Sequence, residues 1–258
     1  MAAETQYTAN TGIVAISTAN TNLDGTGTLG TVLTAASNGT LIKTVRIKAQ
    51  GNTTQGMVRL FVTGGGATEL IAEIEVSAVT KSATDPSFEV VLPINYALKS
   101  AYVLKASTQI GETFNVFAEG LDWTYYASVR PESTKYTANT GIGQVATANT
   151  NLDGSGTLGT ILTAASNGTL IQTVTIKAIV NTTAGMIRLF IYNGTTNFLL
   201  TEIPVSAVTK SGTARSFTNG ALFGNDFALK SGYLLKASTE IGETFNVIAE
   251  GADWTYPA

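Results

Sequence analysis

The chain repeats itself, and the repeat decides the architecture before any single motif is read. Tyr7-Thr8-Ala9-Asn10-Thr11-Gly12-Ile13 returns as Tyr136-Thr137-Ala138-Asn139-Thr140-Gly141-Ile142, an offset of 129 from position 7 to position 136. The same offset carries Thr18–Gly25 onto Thr147–Gly154, Ala35–Ile42 onto Ala164–Ile171, and Val76–Ser82 onto Val205–Ser211. Further on, the offset from position 102 to position 233 is 131, matching Leu104–Thr108 to Leu235–Thr239 and Ile110–Val116 to Ile241–Val247. Asp122-Trp123-Thr124-Tyr125 closes one copy and Asp253-Trp254-Thr255-Tyr256 the other. Copy two has therefore gained two residues between Phe217 and Phe227, which reads as a loop insertion. A period this long is the size of a domain, not of a solenoid repeat. The expected division is a first domain over 1–126, a linker over 127–135 containing Pro131, and a second domain over 136–258. So short a connector should set the two side by side.

Within one copy, apolar residues alternate with polar ones. Val58, Leu60 and Val62 share a face with Arg59 opposite, and copy two repeats this as Ile187, Leu189 and Ile191 around Arg188. Val45 and Ile47 point inward while Arg46 and Lys48 point out; Leu70, Ile74 and Val76 oppose Glu73 and Glu75; Phe114, Val116 and Ala118 share one face. Period two with one apolar face marks a half-buried antiparallel strand. Asp24-Gly25, Asn38-Gly39, Gly64-Gly65-Gly66, Asp85-Pro86 and Ile110-Gly111-Glu112 supply turns, the first reading as a tight hairpin. Many short strands with no helical period predict an all-β chain of two tandem antiparallel β-sandwich, jelly-roll-like domains. The expected core holds Val58, Leu60, Val62, Ile74 and Phe114, with Ile187, Leu189, Ile191, Ile203 and Phe245 in copy two.

Composition narrows the chemistry. The chain has no His and no Cys, so Ser-His-Asp and Cys-His machinery, His- or Cys-bound zinc and disulfides are excluded. Charged residues are only 13%, and the net charge of -3 offers no basic field for nucleic acid. No apolar run approaches a membrane helix, and Met1–Gln6 does not read as a signal peptide.

Several constellations invite a functional reading. Asn22 and Asp24, repeated as Asn151 and Asp153, resemble a calcium loop but lack its further carboxylates, and a tight turn is the simpler reading. Glu112, Glu119 and Asp122, repeated as Glu243, Glu250 and Asp253, could supply a glycosidase pair if a cleft brought two together. The alternative is solvated strand ends and turn hydrogen bonds. Trp123 with Tyr125, and Trp254 with Tyr256, read either as core or interdomain packing or as an aromatic platform for sugars. No catalytic, cofactor or metal site is assigned on these grounds.

The strings Gly56–Phe61, Glu73–Val76, Leu104–Thr108 and Phe114–Gly120, with Gly185–Phe190 and Phe245–Gly251 in copy two, resemble small β-rich proteins encoded among phage and prophage structural genes. The resemblance covers most of both copies and implies an auxiliary or decoration protein of the capsid. It also implies the major capsid protein, other virion proteins and copies of itself as partners. Synthesis in the host cytoplasm and residence on the virion surface follow from the same resemblance, as does a non-enzymatic role. A carbohydrate-binding adhesin or fibre component is the alternative, and exposed Trp123 and Trp254 would favour it.

Overall fold

The computed structural model describes residues 5–125, 135–211, 213 and 215–255. Residues 126–134, which hold the linker up to Lys135, lie outside the described residues, as do Tyr256 and the side chains of Tyr125 and Lys135. Copy one forms β1 (Thr5–Ile16), β2 (Gly30–Thr34), β3 (Thr40–Ala49), β4 (Gly56–Gly64), β5 (Ala67–Val76), β6 (Glu89–Leu98), β7 (Val103–Thr108) and β8 (Phe114–Tyr125). Copy two forms β9 (Lys135–Val145), β10 (Gly159–Thr163), β11 (Thr169–Ala178), β12 (Gly185–Tyr192), β13 (Asn197–Val205), β14 (Thr218–Leu229), β15 (Leu234–Thr239) and β16 (Phe245–Thr255).

Each copy folds as one long hairpin wound into two sheets. In copy one β1 pairs with β8, β2 with β7, β3 with β6 and β4 with β5, all antiparallel. Winding then joins β8 to β3 and β7 to β4, giving sheets of order β1-β8-β3-β6 and β2-β7-β4-β5. Copy two repeats both, as β9-β16-β11-β14 and β10-β15-β12-β13. This is the strand order of a jelly roll, with two Greek keys.

The alternation places the core as expected. Val58, Leu60, Phe114, Ile187, Leu189, Ile191 and Phe245 are fully buried, and Val62, Ile74 and Ile203 nearly so. Leu70 departs from the pattern. Phe61 pairs with Leu70 while Leu60 pairs with Ala72, so Ile71 is an extra residue that turns Leu70 off the core face. The Asp24-Gly25 turn is also not a hairpin, because β1 and β2 lie in different sheets. It is a bridging loop, tied down by Asn20, whose side-chain amide donates to the carbonyls of Thr26 (2.9 Å) and Thr28 (3.0 Å). The Asn20 carbonyl in turn accepts from the guanidinium of Arg59 at 3.1 Å. Arg59 and its counterpart Arg188 are consequently buried rather than facing solvent.

The two added residues of copy two sit inside a strand, not in a connecting loop. Copy one has Ile94 and Asn95 between the registered Pro93 and Tyr96 on β6. Copy two has four residues, 223 to 226, between Leu222 and Phe227 on β14. An enlarged bulge on an edge strand re-aims side chains, and here it aims Phe223 at the other sandwich.

Candidate functional site

The carboxylates singled out by sequence are parted by the strand they share. Glu119 and Asp122 are three positions apart on β8, so a period of two sends them to opposite faces of the sheet. Asp122 Oδ1 accepts from Thr40 Oγ1 (2.5 Å) and Asn10 Nδ2 (2.8 Å), tying β8 to β3 and β1. Asp253 does the same with Thr169 and Asn139. Glu112 lies at the other end of β8 and accepts from the Thr54 hydroxyl at 2.8 Å; Glu243 repeats this with Thr183. Asp24 Oδ1 accepts from the hydroxyl (2.6 Å) and backbone N–H (3.0 Å) of Thr26. Those two bonds hold its carboxyl below the usual range. Asp153 is lowered in the same way by Ser155. Both loops therefore spend their carboxylate on their own turn.

What the fold does assemble is a seam between the two copies. The outer face of β1-β8-β3-β6 receives β13 and β14, the edge strands of copy two. Arg46 and Lys48, expected to face solvent, are 9% and 0% exposed because copy two covers them. Asn115, Phe117 and Glu119, the outward set of β8, are buried with them. Phe117 joins the apolar core of copy two, with Ile13 packed beside it.

Glu202 of β13 is the polar centre of the seam. Its Oε1 accepts from Arg188 Nε (3.0 Å) within copy two. Its Oε2 meets Lys48 Nζ (3.2 Å) and accepts from the Ser87 N–H (2.9 Å) and hydroxyl (2.8 Å) of copy one. Burial opposes ionisation of Glu202, but Lys48, both Ser87 donors and Arg188 outweigh it and hold the carboxyl at about 2. Around this centre, Asn115 Nδ2 donates to the Leu199 carbonyl (3.1 Å) and Thr201 Oγ1 to Glu89 Oε2 (2.7 Å). The Thr11 hydroxyl donates to the Ala228 carbonyl, and Arg46 pairs with Glu89. Arg46 also lies 5.5 Å from the centre of the Phe223 ring, so the inserted bulge ends in a cation–π contact.

No family model and no curated protein sequence matches the chain. Three solved structures show the range of its likenesses. The N-terminal CBM22-1–CBM22-2 tandem domain from Paenibacillus barcinonensis is 10% identical over 98% of this chain and 93% of its own, with a TM-score of 0.25. The STIV MCP is 10% identical over 99% and 98%, with a TM-score of 0.27. A fucolectin from striped bass (Morone saxatilis) serum is 9% identical over 97% and 100%, with a TM-score of 0.21. Likenesses at these identities and TM-scores transfer no function.

At one end the seam opens into a cleft of about 190 Å³, lined by Tyr7, Lys43, Glu119 and Leu121 from copy one and by Tyr136, Leu170, Ala228 and Trp254 from copy two. Burial pushes the Glu119 carboxyl up to about 7, although Arg46, the Thr44 hydroxyl and Lys43 pull the other way. Trp254 is 4% exposed, packed with Ala9 and Ala228 and 6.5 Å from the Tyr136 ring. Trp123 is half-buried. Of the two expectations for the tryptophans, Trp254 follows interdomain packing.

Sequence reading missed the seam residues because period two tells which face a side chain takes, not what lies over that face. A usable signal was present in the differences between copies. Arg46 stands against Thr175, Phe117 against Ile248, and Glu89 against Thr218. Where two copies of one domain diverge on outward positions, their environments differ.

Proposed function

We propose that the chain is a structural protein of a bacteriophage virion, an auxiliary or decoration protein bound to the capsid exterior through contacts with the major capsid protein. The observation that carries this reading is the seam around Glu202. It joins two like sandwiches into a unit of set geometry, as a protein docking on regularly repeated sites requires. A flexible tether would raise avidity through effective concentration alone. A buried joint of complementary charges also sets orientation, so two like surfaces are presented at one spacing. Asp24, Glu112 and Asp122 are committed to strand and turn hydrogen bonds, and Glu119 lies on the opposite face of β8 from Asp122, which supports a non-enzymatic role. Burial of Trp254 removes one of the two aromatic platforms on which the adhesin alternative would draw.

The test is to add the purified chain to heads of the phage encoding it, assembled without this gene, and to image them. Cosedimentation and repeated density on the outer shell are expected. Binding to immobilised glycans with no cosedimentation would overturn the proposal in favour of the adhesin.

A further inference from the structure

The seam uses one face of copy one and one edge of copy two. Because the copies are duplicates, the chain also carries the converse pair: the equivalent face on copy two and the equivalent edge on copy one. Among the described residues, neither is engaged within the chain.

The unused face has the same key groups. Lys48 is matched by Lys177, and each ammonium donates to the carbonyl of the matching serine, Ser87 at 2.9 Å and Ser216 at 3.1 Å. The lysine–serine pair is thus laid out twice, with a glutamate on it in copy one and, among the described residues, none in copy two, where Lys177 also donates to Thr218 Oγ1 at 2.7 Å. Ile13, packed against copy two, is matched by Ile142, which is 70% exposed and the most exposed large apolar side chain among those described. Thr11 and Ala9 are buried in the seam, whereas Thr140 and Ala138 are exposed.

The unused edge matches as well. Glu202 corresponds to Glu73, which holds Arg59 through Oε1 at 2.9 Å, as Glu202 holds Arg188. The side chain of Glu73 is 42% exposed against 1% for Glu202. Ala228, whose carbonyl accepts from Thr11, corresponds to the exposed Ala97, and Leu199 to the half-buried Leu70.

We propose that the chain associates head to tail with further copies of itself, the copy-one edge bearing Glu73 docking on the copy-two face bearing Lys177 and Ile142 of the next molecule. The contact is heterologous, so it propagates into a ring or an open filament rather than stopping at a dimer. It is weaker than the internal seam. Arg46 and Phe223 become Thr175 and Ile94, and Glu89 and Thr201 become Thr218 and Ala72, so a cation–π contact and a hydrogen bond are lost. The internal seam also has covalent connection in its favour. The inference does not rest on the capsid reading, and its test uses no particle.

Sedimentation velocity of the purified full chain, from micromolar to near-millimolar, reads the association. Wild type should form species heavier than one chain in a concentration-dependent way. Lys177→Glu and Glu73→Lys should each weaken association at least tenfold. An equal mixture of the two should restore it, because each variant's altered surface then meets an opposite charge on the other. Ile142→Asp, made at a side chain already in solvent, should abolish association without affecting folding, and serves if Glu73→Lys fails to fold. A wild type that stays a single chain throughout overturns the proposal. So do variants that associate as wild type does, or a mixture no better than its components.

Discussion

Glu202 on β13 lies 3.2 Å from Lys48 on β3, a contact between the two sandwiches in which neither side chain is more than 1% exposed. A buried pair of this kind contributes little net stability over an apolar pair, but it is costly to break from one side. Glu202→Gln or Lys48→Met should cost about 3–5 kcal/mol at neutral pH. The double variant should lose less than the sum. A double-mutant cycle by urea denaturation measures the coupling, and additive losses would mean that the pair does not interact.

The two carboxyls of the seam respond to acid in opposite senses. Glu202 is held at about 2, below its ordinary 4.5, so its contribution is complete above about 4.5 and lost as pH falls toward 2. Glu119 is raised to about 7, so the folded chain binds the proton more tightly, and stability falls as pH rises from about 4.5 to 7. Glu119→Gln should leave stability nearly unchanged at pH 4.5 and raise it by about 2–3 kcal/mol at pH 8. Thermal melts at the two pH values check this, and equal effects at both would show that Glu119 is not protonated at the seam.

Leu60 and Leu189 occupy equivalent, fully buried positions on β4 and β12. Leu60→Ala and Leu189→Ala should each cost about 2–5 kcal/mol through lost transfer energy and the cavity left behind. Denaturant titration of the two variants gives the comparison. A loss under about 1 kcal/mol at either site would contradict the register.

Phe223 belongs to the copy-two bulge and is 6% exposed, whereas its counterpart Ile94 is half-buried against the core of its own copy. Phe223→Ala should therefore cost about 3 kcal/mol and Ile94→Ala about 1 kcal/mol. Phe223→Ala should also raise proteolysis between the two halves. Equal costs would place Phe223 outside the seam.

Sheet faces were legible because Val58, Leu60 and Val62 alternate with residues of another kind, and burial of one face leaves that trace in any half-buried strand. The winding of the strands was less so. Tyr7 pairs with Trp123 and Thr40 with Asp122, partners separated by most of a copy, and period two carries no information on distant pairing. The bulge at Ile71 was invisible for a related reason, since Leu70 and Ile74 keep perfect alternation in sequence while one unpaired residue shifts the register between them. Lys48 was misread because a lysine on an outward face has the same sequence pattern whether water or another sandwich lies above it.

The nested pairing bears on how the chain reaches this state. Of the four pairings β1–β8, β2–β7, β3–β6 and β4–β5, only the last joins strands adjacent in sequence. The rest close over progressively longer stretches, so loop-closure entropy must be met before distant contacts return anything, and such topologies fold slowly. The first strand of each half waits on the last. On the ribosome, β1 has no partner until Phe114–Tyr125 has emerged, and the edge that covers Lys48 is completed only as the second half closes. The seam is therefore among the last parts of the molecule to form, and premature termination ahead of β13 and β14 leaves Arg46, Lys48 and Phe117 uncovered.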